Sequence, residues 1–332
     1  MKPTSRTFRP LLAPAVLLLA CGDGTRLEPQ PDAGEPPRMA LACPHEVPAT
    51  VLHRSTAVSF VVAVTARAIY LDTESGLTRV PLAGGEPALI EPIRVRAGAA
   101  DPTSGTVYFA TADQLFEFDE DSQQLTVVGA TENFGDIAVV GDALAVLESL
   151  TDGASQVRFP RASPPSVLDA LRNASLVGAV SPDLLYLSSD GGDGYALRRV
   201  RTAGTELEVV APGAFGALAP VPGGIVATRV GDFEQAILRI DDGAATVLAE
   251  VGAGNANGSI MGPFVFGDHV LWAEEGGHHV VRRVPLAGGT AEVACQHDGP
   301  WSIVRDADDL LIQLGIGPEY VLVRVAAADF LP

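Results

Sequence analysis

Leu77-Thr-Arg-Val-Pro-Leu-Ala-Gly-Gly85 returns almost letter for letter as Val281-Arg-Arg-Val-Pro-Leu-Ala-Gly-Gly289. Its core, an arginine before a large apolar residue, recurs as Arg158-Phe159, Arg199-Val200, Arg239-Ile240 and Arg324-Val325, with Glu117-Phe118 standing in once. Counted from Arg79, the intervals are 38, 41, 41, 40, 44 and 41 residues. Seven occurrences at that period mark a repeat protein, and the period suits four short strands per unit.

The units read accordingly. Around Arg79 stand Ser59–Val64, Ala68–Leu71, Leu77–Leu82 and Glu86–Ile90, four β-favouring pieces separated by Gly, Asp and Ser. Tyr70, Tyr108, Tyr186 and Trp272 fall on second strands at whole multiples of the period, and large rings so placed are expected to pack between neighbouring units. The seventh unit stops after Tyr320–Val325 and lacks a fourth strand. Ala49-Thr-Val-Leu52 repeats the letters of Ala245-Thr-Val-Leu248, the fourth strand of unit five, so the missing strand is expected from the N-terminal side. The sequence thus predicts an all-β, seven-bladed β-propeller over residues 43–332, its ring closed by an N-terminal strand completing the last blade. A monomeric ring is expected.

The 332 residues are 47% hydrophobic and 19% charged, ample apolar material for a packed core. Formal charge is −19; residues 1–20 hold Lys2, Arg6 and Arg9 and no acid, so without them 19 basic residues face 41 acidic ones, or −22. That excess repels nucleic acid, which is excluded as a partner, and anionic lipid headgroups.

Lys2, Arg6 and Arg9 precede the apolar run Leu11 to Ala20, which is too short to span a bilayer and reads as an export signal over residues 1–20. Leu18-Leu19-Ala20-Cys21 resembles the bacterial lipobox. The resemblance implies cleavage before Cys21, lipidation there and attachment to a membrane of the bacterial cell envelope. Gly22 stands where an inner-membrane retention signal would have aspartate, which points to the outer membrane. Acyl anchors hold durably because each buried methylene contributes about 0.8 kcal/mol. Residues 21–42, with Pro29, Pro31, Pro36 and Pro37 and almost no large apolar residue, read as a flexible tether.

With Cys21 given to lipid, Cys43 and Cys295 remain. An exported protein usually pairs two such cysteines, and the circular order makes their blades neighbours; two free thiols are the competing reading.

The seven-unit pattern resembles bacterial propeller repeats of the TolB, NHL and YncE-like group over about residues 45 to 330. That group includes interaction scaffolds, lactonases and lyases, so the resemblance implies a fold and hardly narrows the activity. The residues add little catalytic signal. His269, His278 and His279 share one blade, but adjacent strand residues face opposite ways, and HExxH is absent. His45, His53 and His297 approach the seam only if Cys43 lies near Cys295. Asp190, Asp193, Glu274, Glu275, Asp306, Asp308 and Asp309 fall in turns without the spacing of a calcium loop. No Gly-x-Ser-x-Gly elbow occurs, and no helix follows Gly84-Gly85 to receive a phosphate. No catalytic residue, metal ligand or cofactor is assigned. The expected role is a lipid-anchored extracytoplasmic scaffold for an envelope protein, peptide or glycan. The alternative is a hydrolase or lyase with polar groups or a metal at the central mouth.

Overall fold

The computed structural model describes residues 38–331 apart from 44–45, 102–103, 131–133, 151–153, 161–165, 191, 193, 203, 205, 232–234, 252–259, 275–278, 298–299 and 317–318. The export signal, Cys21 and the tether up to residue 37 lie outside the described residues.

Six four-stranded antiparallel sheets and one five-stranded sheet follow one another as seven blades. Blades 1 to 6 cover residues 60–91, 97–130, 134–172, 175–212, 214–251 and 260–297. Within each, strand order along the chain is strand order in the sheet. The first strands of successive blades touch in turn, and blade 7's first strand, Pro300–Asp306, touches that of blade 1, Phe60–Val64, which closes the ring.

Blade 7 continues with Asp309–Ile316 and Glu319–Ala326, and the N-terminal strand Glu46–Ser55 then pairs antiparallel with Glu319–Ala326, Thr50 opposite Arg324 and Val51 opposite Val323. The expected closing strand is present. A further strand, Arg38–Ala42, pairs outside it, Met39 opposite Ala49. Residues 38–42 therefore belong to the sheet rather than to the expected tether. Leu41 and Val47 at this edge are buried, and that burial outweighs the weak strand signal of a short segment after prolines.

Every fourth strand shows a register shift against its third strand, between Val51 and His53 in blade 7 and between Val127 and Gly129 in blade 2, for example. Beside these bulges Leu89, Val127, Val209, Val247 and Val293 are exposed on the circumference. The residue in that register in blade 7, Val51, is buried, with the fifth strand alongside.

First strands are the least regular. Those of blades 2 and 5 (Ala97–Ala100, Ala214–Val221) are rich in Ala and Gly and carry little β-signal, and that of blade 4 (Ser175–Ser181) is interrupted by Gly178. Crowding at the axis explains the composition. A Cβ on Gly98 would lie 2.7 Å from the Val62 carbonyl oxygen of blade 1, and one on Gly178 would lie 3.2 Å from Leu218 Cδ1 of blade 5.

Between blades the core is apolar but stitched by polar latches. Asp72 accepts from the Val95 N–H at 3.1 Å, Ser155 from the Ala174 N–H at 3.3 Å and Ser188 from the Phe215 N–H at 3.1 Å. Thr228 donates to the Gly262 carbonyl at 2.7 Å, and Gln313 Nε2 donates to Ser59 Oγ at 3.0 Å. Each bond crosses to the start of the next blade, the last one across the ring closure. Asp72, Ser188, Thr228 and Gln313 share one register, two residues beyond the residue opposite the third-strand arginine. All five latch side chains are buried, so each exchanges an unsatisfied backbone or side-chain group for a specific blade-to-blade contact. Thr228→Val keeps the shape and strands the Gly262 carbonyl; a loss of about 1–2 kcal/mol in chemical denaturation is expected, without change of fold by circular dichroism.

Tyr70, Tyr108 and Tyr186 pack toward the following blade, as their spacing predicts. Trp272 packs the other way, against Val226 and Ile237 of blade 5. It lies opposite Arg282 rather than Arg283, one residue out of register with the tyrosines, and a one-residue offset on a strand reverses the face.

Candidate functional site: the inner wall of the ring

Each blade repeats the same antiparallel order, so all first strands begin at one face, where the two-to-three hairpins and the blade-to-blade links also gather. That face and the inner wall behind it are where seven loops can converge.

Among the described residues, the chemistry-bearing side chains offered by the sequence form no cluster there. His53 lies in the closing strand of blade 7, half-buried, and burial holds its pKa below the ordinary value. His269, the first residue of blade 6's second strand, contacts Asp268 of the preceding turn at 2.7 Å. His279 begins the third strand of that blade, opposite His297 in register. His45 and His278 lie outside the described residues. Among the described residues no three His, Cys, Asp or Glu side chains are grouped as metal ligands.

The expected acidic turns resolve into local bonds. Asp190 accepts from the Gly192 N–H. Buried Glu274 takes the indole N–H of Trp272 at 2.9 Å and pairs with Arg282 at 2.9 Å. Asp309 pairs with Arg324 at 2.5 Å, while Asp306 lies 3.6 Å from the same arginine and burial raises its pKa. Asp193 and Glu275 lie outside the described residues. The recurring arginine meets local acids: Arg158 with Glu148, Arg199 with Glu208, Arg239 with Asp241 and Arg283 with Glu292. This evenness is structural, and the exposed pairs contribute little each.

Cys43 and Cys295 form a disulfide, Cα atoms 4.6 Å apart. It joins the end of the fifth strand of blade 7 to the fourth strand of blade 6. Cys21 lies outside the described residues.

One residue that sequence reading passed over stands out on the inner wall. Asp136 is the third residue of blade 3's first strand, Phe134–Val140, and lies opposite Leu147. The carboxylate is half-buried, accepts the Ile137 N–H at 2.8 Å and meets no cation among the described residues. Burial pushes its pKa up to about 6 from 3.8, only partly opposed by that bond. A carboxyl whose pKa is raised on folding leaves the native state fully favoured only below about pH 4, and the penalty is complete above about pH 6. Asp136→Leu is therefore expected to stabilise the free protein by about 2 kcal/mol at pH 8 and by almost nothing near pH 4, read from thermal melts at both values. The signal was in the sequence: an acid inside an apolar strand, visible once all seven first strands are set in one register.

No protein-family model and no curated protein sequence matches the chain. Solved structures do. An oligogalacturonate lyase from Vibrio parahaemolyticus aligns with a TM-score of 0.62 at 10% identity, over 91% of this chain and 96% of that one. An oligogalacturonate lyase in complex with manganese aligns at 0.63 with 12% identity, over 92% and 96%. The β-propeller domain of the Trilobed protease from Pyrococcus furiosus gives 0.60 at 8% identity, over 81% and 95%. At these identities the likeness speaks to fold alone, and with the seven sheets it establishes the chain as a seven-bladed β-propeller.

Proposed function

We propose that this protein is an extracytoplasmic interaction scaffold, tethered to the envelope through lipid on Cys21, that presents its ring to a protein partner. The observation that carries the reading is the dispersal of its reactive side chains. Among the described residues the histidines stand in separate strands, with His279 opposite His297 in register, and the arginines are engaged with local acids in blade after blade. The wall nearest the axis is built from Ala, Gly and Val far more than from ionisable groups. A surface of that kind suits recognition by shape and by a few polar contacts.

The test is capture from the native envelope with the full-length lipidated protein, with total metal measured on the same sample. A stoichiometric partner without metal is the expected result. One tightly held metal and no partner would overturn the scaffold reading in favour of a hydrolase or lyase. Cys21→Ser is expected to convert a detergent-partitioning protein into a soluble exported one; unchanged partitioning would rule out the lipid anchor.

A further inference from the structure

Strand pairing sets the seven first strands in one register. At the position one step beyond the residue opposite the third-strand arginine or its stand-in, the first strands carry Val61, Gly98, Leu176, Leu218 and Ile303 in blades 1, 2, 4, 5 and 7. In blade 6 the Gly262-Pro263 shift faces Trp272 there. In blade 3 the position is Asp136. Six blades fold with an apolar or glycine residue at this point, so the propeller itself has no need of a carboxylate. Half-burying one whose bond is to the Ile137 N–H, with no cation beside it among the described residues, costs stability. A residue that breaks the local rule at such a cost, with no structural return, is where function is to be sought.

The surroundings define what it can receive. The flanking first strands, Ala97–Ala100 and Ser175–Ser181, have no ionisable side chain. On the paired second strand, Ala143–Ser149, the acid is Glu148, already engaged by Arg158 and Gln156. Elsewhere on the first strands the ionisable groups are Arg305 and Asp306, at the opposite end of blade 7's strand. Gly135 beside Asp136 is exposed, so the site is open to solvent. At the same face Phe60 begins blade 1's first strand with 55% of its surface exposed, beside exposed Val58. The net charge of −19 draws cations to the whole body.

We infer that Asp136 is the anchoring carboxylate for a basic side chain, arginine or lysine, carried between apolar residues on a partner protein and inserted at the inner wall of the ring. The inference rests on the scaffold reading and names the chemistry of its partner. The cation completes the hydrogen bonding that the fold leaves open, and the apolar neighbours cover the surfaces of blade 1 and the inner wall. Because the site is half-buried, the pair is less screened than an exposed one.

The test uses the full-length protein and two peptides, acetyl-Leu-Arg-Leu-amide and the same peptide with citrulline, titrated at pH 7.5 and followed by the amide resonances of Gly135 to Ile137. The arginine peptide is expected to shift these resonances, with affinity at least tenfold weaker for citrulline, for Asp136→Asn and for wild type at pH 5. Equal binding by the citrulline peptide or by Asp136→Asn, with melting showing the variant folded, would overturn the inference. Envelope capture separates the two readings. A partner held equally by wild type and Asp136→Asn overturns the basic-anchor inference and leaves the scaffold standing, whereas a partner lost only by Asp136→Asn supports both.

Discussion

Replacing Cys43 and Cys295 together by serine is expected to lower the melting temperature by roughly 10 °C, the largest change any substitution outside the blade cores should produce. The bond links residues 252 apart in sequence, so it removes from the unfolded chain nearly every conformation in which the two ends of the ring separate. Loop-closure entropy for that length gives about 5 kcal/mol at the upper end. The structure adds a second reason. The disulfide fixes the turn after Arg38–Ala42 to blade 6, and with it the strand beside which Val51 is buried; without the bond that strand is held by its pairing with Glu46–Ser55 and by its share of the core. Amide exchange should accelerate first in residues 46–55 and 320–324. A reductant should lower the wild-type melting temperature to that of the double serine variant and leave the variant itself unmoved. Identical melting of the two proteins without reductant would refute the clasp.

Much of this architecture was legible because a propeller writes its period into the sequence. The third strands announced themselves through Arg79, Arg158, Arg199, Arg239, Arg283 and Arg324, and Ala49–Leu52 identified the closing strand by likeness to Ala245–Leu248. First strands were harder, since crowding at the axis selects Ala and Gly, residues that look like turns when read singly. The fifth strand of blade 7 was hidden for another reason: Arg38–Ala42 is held by tertiary burial at the ring seam, which propensity cannot register. Four of the five latches stand in the sequence as polar residues in apolar second strands and the fifth, Ser155, in a third strand, yet their partners lie in the next blade, beyond the reach of any local pattern. Trp272 shows the limit of counting. Its spacing matched whole periods, but a one-residue offset in register turned its ring to the preceding blade. Asp136 was passed over because it starts an otherwise ordinary apolar run, and only strand pairing shows that its counterparts are apolar.

Glu120→Ala is expected to destabilise the protein by about 3 kcal/mol, and comparison with half-buried Asp136 explains why two carboxylates behave oppositely. Glu120 sits in the outer hairpin of blade 2, buried, and reaches across to blade 1, where it accepts from the Tyr70 hydroxyl at 2.7 Å and from Thr65 Oγ1 at 2.8 Å. Tyr70 is wholly buried, its ring 5.4 Å from Phe109 and 5.7 Å from Phe118. Burial, reinforced by the bond to Glu120, raises the phenol's pKa, so it stays a neutral donor throughout the physiological range. Removing the carboxylate strands that buried donor, whose oxygen also meets Arg79. Tyr70→Phe removes a hydroxyl and leaves Glu120 with its remaining donor, at an expected cost of about 1.5 kcal/mol. In the double variant neither partner is left unpaired, so its loss should be about 3 kcal/mol rather than the sum of the two, a coupling of about 1–2 kcal/mol in chemical denaturation. Strict additivity would mean that Glu120 is held by solvent and Thr65 and that the seam does not depend on this contact. The contrast with blade 3 then becomes measurable: removing a carboxylate that has its donors weakens the ring, whereas removing Asp136, which meets no cation among the described residues, should strengthen the ring while abolishing what it binds.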